Sequence, residues 1–326
     1  MSVLSKPYFH DEAAAFAHLE SVLWPEGPVC PHCGSVSGKH YDLHKTRMGL
    51  RKCSDCRKQF TVKVGTVFES AHIPLNKMLQ AVYLMTSSKK GISAHQLHRV
   101  LEVQYKTAWF LAHRIREAMR DGTLAPMGGA GGVVEADETY FGKTADQPGA
   151  TTSGRPFAKG GKRGPAGKRA VVALVERGGS VRSFHVDKVN KKEVAKIVGE
   201  NIDRETKLYT DESRLYPEVG KSFAEHSTVR HSAEEYVRYE GESAIHTNTI
   251  EGYFSIFKRG MKGVYQHCGE KHLHRYLAEF DFRYNNRSAR GCEDQQRASL
   301  ALRGIVGKRL TYRWPDEAAE QNERRF

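Results

Sequence analysis

No run of apolar residues approaches the ~18 that a membrane-spanning helix needs, so the sequence offers no such segment. The first 26 residues hold Asp11, Glu12, Glu20 and Glu26 among alanines, with no basic stretch leading into an apolar one. No secretory signal is read there, and the expected setting is a reducing cytoplasm, where disulfides are rare. Cysteine is scarce, six in 326 residues, and a chain this long buries enough core to fold without covalent staples. No internal repeat is seen, which excludes a solenoid. Negative charge is also short: 38 Asp and Glu face 51 Lys and Arg, a net +13. A basic chain of this kind suits nucleic acid, because phosphate contacts release counterions; a basic enzyme with no such partner is the plainer alternative.

The length suits about two domains. Residues 10–23 place Ala13, Phe16, Leu19, Val22 and Leu23 on one helical face, and Pro25, Gly27 and Pro28 end it. Residues 71–121 are helical in pattern, with no proline after Pro74. Gly128, Gly129, Gly131 and Gly132 read as a flexible joint. Beyond it, Val133–Tyr140, Arg169–Val175, Val181–Val186, Lys207–Thr210 and Ser227–Arg230 read as strands, and Asn190–Asn201 as a helix with an Asn cap. A helical stretch runs from about Thr247 to Asn285, broken near Gly260–Gly269. Strands, then an alternation, then helices predict a mixed α/β sheet domain. The expected divisions are an N-terminal helical segment (1–23), a cysteine module (24–66), a helical region (67–127), a sheet domain (128–290) and a C-terminal tail (291–326).

Cys30-Pro-His-Cys33 and Cys53-Ser-Asp-Cys56 are two C-x2-C knuckles nineteen residues apart. That spacing points to a four-cysteine Zn²⁺ site, since neither pair sits in the βαβ setting of a redox motif. Four thiolates leave no open position, so the expected role is structural. Arg47, Arg51, Lys52, Arg57, Lys58 and Lys63 surround the knuckles and predict a phosphate-facing surface.

Ser93 can cap a helix over Ala94–Leu101, and a second helix follows from Tyr105 to about Met119. Two short helices with a tight turn fit a helix-turn-helix. Lys106, Thr107, His113, Arg114, Arg116 and Arg120 on the second are its candidate DNA donors. A plain helical connector with a solvated basic face is the competing reading.

The strand Val133–Tyr140 carries Asp137 near its end, and Leu208-Tyr209-Thr210-Asp211 repeats the arrangement 74 residues later. A carboxylate at the end of an apolar strand is costly unless it meets a cation, and two on neighbouring strands can share Mg²⁺. From Asn248 onward, a helical projection places Asn248, Glu251, Ser255, Lys258 and Lys262 on one polar face, opposite Ile250, Phe254, Phe257 and Met261. An amide or acid on that face can reach a metal, and the lysines can reach DNA phosphate.

Together these residues resemble bacterial insertion-sequence transposases of the group numbered fifteen ninety-five. The resemblance rests on Ala-Asp137-Glu-Thr-Tyr-Phe-Gly, on Tyr-Thr-Asp211-Glu-Ser and on His-x-Asn248-x-x-Glu251-(x6)-Lys258. It covers the chain from about Phe16 to Asn286. It implies a ribonuclease-H-like mixed sheet domain preceded by a zinc ribbon and a helix-turn-helix region, acting as a transposase. The implied activity is cleavage at element ends with Mg²⁺ or Mn²⁺, then joining of the freed 3′-OH to target DNA. Asp137 and Asp211 are then the expected metal ligands. The third is Asn248 by the group's pattern or Glu251 by that of the wider acidic-triad family, with Asn248 preferred. Lys258 and Lys262 are expected to hold phosphate. The implied partners are DNA and further copies of the chain, at the bacterial nucleoid, with no membrane. A DNA-binding regulator or a nuclease on the same fold is the alternative. Residues 143–169 hold seven Lys and Arg, Lys162 and Arg163 among them, against Asp146 alone, and predict a mobile DNA-facing loop.

Overall fold

The computed structural model describes residues 2–36, 40–122, 125–144, 167–241 and 243–311. The chain divides into two units, Met1–Arg120 with Glu293–Phe326, and Asp121–Cys292. Among the described residues no helix is long and apolar enough to cross a membrane.

In the first unit, Asp11 accepts the N–H of Ala14 and starts helix α1 (Glu12–Leu23), whose Ala15, Phe16 and Leu19 are buried. Three two-residue strands follow, β1 (Tyr41–Asp42), β2 (Arg51–Lys52) and β3 (Gln59–Phe60), antiparallel in that order. Helix α2 (Leu75–Ser87) begins at Pro74, which offers no side-chain cap. Glu12 of α1 takes that place, accepting the N–H groups of Leu75 at 2.8 Å and Asn76 at 3.2 Å. A carboxylate at the positive end of a helix satisfies amides the helix cannot satisfy itself.

Helices α3 (Ala94–Leu101) and α4 (Tyr105–Ala118) follow the two segments read from the sequence, and the turn between them holds Glu102 in a left-handed conformation. The candidate donors of α4 do not share one exposed face. Lys106 is exposed, whereas His113 and Arg116 are only 1% exposed. Arg114 lies over the Phe110 ring and donates to the carbonyl of Glu69 at 3.1 Å. The core face of α4 is wide, taking in Ala108, Leu111, Ala112, Ile115 and Ala118, and it carries its basic neighbours inward. The reading of His113 and Arg116 as groove-facing is corrected accordingly.

The second unit starts from the glycine run, which lies inside this unit and is an ordered turn rather than a loose joint. Gly128, Gly129 and Gly131 have φ of +83°, +104° and +75°, and Gly129 donates to Thr206 Oγ1 at 2.8 Å. A Cβ on Gly128 would lie 2.2 Å from that oxygen, so left-handed backbone and close approach both require glycine here.

Strands β4 (Val133–Phe141), β5 (Arg169–Glu176) and β6 (Val181–Val186) form an antiparallel meander. Helix α5 (Lys191–Asn201), capped by Asn190, leads to β7 (Lys207–Asp211), which pairs parallel to β4. A short helix α6 (Pro217–Gly220) precedes β8 (Glu225–Val229), parallel to β7. The sheet order is β6-β5-β4-β7-β8, the 3-2-1-4-5 arrangement of a ribonuclease-H-like sheet. Strand β5 is apolar on both faces because both are covered. Val171, Ala173 and Val175 pack on one side; Val172 and Leu174 pack on the other with Val194 and Val198 of α5.

A hairpin, β9 (Arg238–Glu240) and β10 (Ser243–Ile245), follows β8. Helix α7 (Asn248–Gly260) then lays Ile250, Phe254 and Phe257 on the sheet. It widens into one π-type turn at Met261–Tyr265 before α8 (Leu273–Asn285). The chain ends its described course in the first unit. Residues 291–326, expected to be a tail, include helix α9 (Asp294–Arg303), which packs on α2 and sends Arg297 to the carbonyl of Thr86 at 3.1 Å. Lys162 and Arg163, with most of the expected basic loop, lie outside the described residues.

Candidate functional site

Strand β4 is central in its sheet, and its alternation sorts its acids. Glu135 and Asp137 point to the face that α7 covers; Glu138 points to the other, where Tyr216 donates to it at 2.8 Å. The parallel register pairs Ala136 with Thr210, so Asp137 and Asp211 stand one step further along adjacent strands. Asp137 accepts the N–H of Glu138 at 2.7 Å, and Asp211 that of Ser213 at 3.0 Å.

The crowding shows in their acidities. Burial, then the charges of Asp211 and Glu138, push the Asp137 carboxyl up to about 8. Burial also raises Asp211, against the pull of the Ser213 N–H and of His231. Glu138 is raised too, burial again first. Carboxyls that repel one another in a partly dry site are short of positive charge.

A cleft of about 670 Å³ opens beside Asp137 and Glu138. Its far wall is α7 and the turn after it, with Glu251, Phe254, Ser255, Lys258, Arg259 and Lys262. The predicted polar face of this helix therefore lines the cleft, apart from its first member. Asn248 is exposed at the first position of α7, and its N–H donates to His246 Nδ1 at 3.3 Å. Glu251, one turn on, is among the charges that raise Asp137. Its Oε1 is 3.3 Å from His231 Nε2 and accepts from Thr247 Oγ1 at 3.4 Å. So the cleft brings Asp137, Glu251, Lys258 and Lys262 together, with Asp211 beside Asp137 on the next strand; neither Asp211 nor Asn248 lines it. His231 was not foreseen; a lone histidine after a predicted strand carries no sequence signal. Lys106 and Arg114 belong to the first unit.

Oxygen donors alone make up this acidic set, and hard oxygen donors suit Mg²⁺ or Mn²⁺. The four cysteines form the contrasting cluster. The sulfurs of Cys30, Cys33, Cys53 and Cys56 all lie within 4.8 Å of one another, with Cys30–Cys56 and Cys33–Cys53 at 3.7 Å. Zn–S bonds of ~2.3 Å in a tetrahedron place sulfurs about 3.8 Å apart, so the cage is the size zinc needs. The N–H of Cys56, donating to the Cys53 sulfur, is the first reason that thiol falls to about 6, while, against the Ser35 N–H, burial and the neighbouring thiols push Cys33 up to about 12, so the crowded sulfurs share their protons unevenly.

Two families match. Residues 129–285 match the ISXO2-like transposase domain, and residues 10–59 match the transposase zinc-ribbon domain, more than half of the chain together. No curated protein matches the chain. Among solved structures, the chain is similar to a chain of the simian T-cell lymphotropic virus intasome in complex with PP2A regulatory subunit B56 gamma. There the identity is 15% and the TM-score 0.28, over 56% of this chain and 66% of that one. It is also similar to the Mos1 strand transfer complex, at 10% identity and a TM-score of 0.21 over 65% of this chain and 76% of that one.

Proposed function

Since the chain belongs to the IS1595 transposases, we propose that the cleft beside Asp137 is where it cuts element ends and joins them to target DNA. The observation that supports this most is the convergence of Asp137 and Glu251 with Lys258 and Lys262 on one cleft. The reaction class is phosphoryl transfer. Water displaces one ester oxygen of a phosphodiester and leaves a 3′-OH; that hydroxyl then displaces an ester oxygen of the target strand.

Asp137, Asp211 and Glu251 would hold Mg²⁺ or Mn²⁺; Glu251 is favoured over Asn248 because it lines the cleft beside Asp137 and is among the charges that raise it. Bound there, a divalent cation neutralises charge on the phosphate oxygens. The chain's own groups do the rest. Lys258 and Lys262 take the phosphates that flank the reacting one and set the strand's register. Phe254 gives the cleft wall an apolar side chain. His231 Nε2, 3.3 Å from Glu251 Oε1, steadies a carboxylate that is itself about half exposed. The zinc ribbon and α3–α4 are read as the DNA-recognition part, Zn²⁺ being structural, with Lys106 at the exposed start of α4. Two element ends must meet in one complex, which favours a homo-oligomer working at the nucleoid.

The test uses the purified full chain and duplexes carrying the inverted repeats that flank its gene. Mg²⁺-dependent release of a 3′-OH, followed by a joined product with plasmid, is expected. Cutting without joining would make this a nuclease, and binding without cutting a regulator.

A further inference from the structure

Helix α7 carries one wall of the cleft, yet among the described residues the only local side chain that steadies its start is His246, whose Nδ1 accepts the Asn248 N–H at 3.3 Å. Thr247 precedes it without capping it through its side chain. The orphan N–H of Ile250 goes instead to Glu135 Oε2 at 2.9 Å, and the hydroxyl of Thr249 to Glu135 Oε1 at 2.8 Å. Glu135 is 0% exposed and stands two residues before Asp137 on the same face of β4. A carboxylate so deeply buried is tolerable only when its charge is matched and its lone pairs are filled.

Arg177, just past β5, supplies the match. Its Nε donates to Glu135 Oε1 at 2.8 Å. The other two guanidinium nitrogens donate to the carbonyls of Ala244 at 2.6 Å and His246 at 2.9 Å. One planar cation thus ties β4 to the two residues that lead into α7, and its face lies 4.9 Å from the centre of the Tyr209 ring on β7. His246 Nδ1 also lies 3.3 Å from Glu135 Oε1, though it is spent on accepting the Asn248 N–H.

We infer that Glu135, clamped by Arg177, is a positioning residue: it fixes the first turn of α7 to the strand that bears Asp137, so that Glu251 is presented to the same cleft. The geometry favours this over a role in holding the core alone. Further along, α7 has an independent anchor, where Tyr253 donates to Asp281 at 2.5 Å and Asp281 also accepts from Ser183. Loss of the Glu135 clamp therefore frees the first turn, with Glu251 at its end, while the rest of the helix stays down.

This inference rests on the proposed role of Glu251, and the experiment separates the two. Glu135→Gln keeps one oxygen, enough for Thr249 or Ile250 but not both, and removes the charge that Arg177 answers. In the full chain we expect the hydrogen exchange of residues 246–252 to accelerate at least tenfold, with residues 273–285 unchanged. Binding of Mn²⁺, read without DNA as the rise in melting temperature across a titration, should weaken about tenfold or more, the usual cost of losing support behind a metal ligand. Cleavage of end DNA should fall about as far, and adding Glu251→Gln should multiply that loss by far less than Glu251→Gln costs alone.

Thr249→Val, which removes one bond and no charge, is a milder second variant and should show the same pattern in reduced form. Should Glu135→Gln not fold, Thr249→Val alone decides, on the same exchange and Mn²⁺ readings. Unchanged exchange and Mn²⁺ binding in a folded variant would overturn the inference, as would fully multiplicative losses in the double variant. If Glu251→Gln alone leaves Mn²⁺ binding and cleavage intact, the proposed site fails first.

Discussion

The four cysteines and the three acids invite comparison, because each cluster gathers anionic donors but only one of them is closed. At the cysteines, the Cys56 N–H draws the Cys53 thiol down to about 6 while, against the Ser35 N–H, burial and the neighbouring thiols push Cys33 up to about 12, and the sulfurs close a cage of fixed size. At the acids, burial and mutual repulsion push Asp137 up to about 8, and one side stays open to a cleft. The first cluster is built to hold an ion permanently; the second is left short of positive charge and accessible. Under the proposed function, the difference separates an ion that is part of the fold from one that would take part in the reaction.

The harshest way to break the comparison is at the cage. Cys53→Ser should abolish the one zinc per chain expected by elemental analysis and unfold the ribbon, while residues 121–292 keep their hydrogen-exchange protection. Next, Asp137→Ala and Asp211→Ala should each cut Mg²⁺-dependent cleavage on the order of a thousandfold and leave end-DNA affinity unchanged, because ligands acting as a unit fail together. Glu251→Gln should cost about a hundredfold on the same assay and Asn248→Ala under about tenfold; the reverse order would restore Asn248 as the third ligand.

A subtler effect follows from the raised Asp137. A group whose folded pKa lies above its unfolded value favours the fold fully below the unfolded value, near 4, and that contribution is lost as pH rises through about 8. Metal-free protein should therefore lose melting temperature between pH 4 and 8 through this group. Asp137→Asn should flatten that part of the profile and raise the metal-free melting temperature at pH 8 by about 2–4 °C. The smallest expected change is in the first unit. Lys106→Ala should reduce the salt slope of DNA binding by roughly 0.9, one phosphate contact. Arg114→Ala should spare the slope and lower the melting temperature, since Arg114 is spent on Phe110 and the Glu69 carbonyl.

Much of this was legible in the sequence, for identifiable reasons. The cysteine knuckles are local, so their spacing alone predicts the cage. Strands β4 to β7 are apolar runs bounded by polar residues, and Asn190 announces α5 through its own side chain. What stayed hidden depends on distant partners. Glu135 reads as one more acid beside Asp137 until Arg177, 42 residues on, and Thr249, 114 residues on, fold against it. Arg116 looks like a DNA donor by charge, and only the width of the α4 core face shows that it is buried. Helix α9 has a weakly apolar sequence that makes sense only against α2.

That return of α9 to the first unit has a consequence for the order in which the molecule is made. A ribosome completes residues 121–292 before it reaches residue 293, where the last piece of the N-terminal unit begins. The unit that comes first in the sequence is thus finished last, and α2 waits for its partner through the synthesis of the whole sheet domain. Chains cut short near residue 290 would carry an intact acidic cleft, and the damage would appear at the opposite end of the polypeptide.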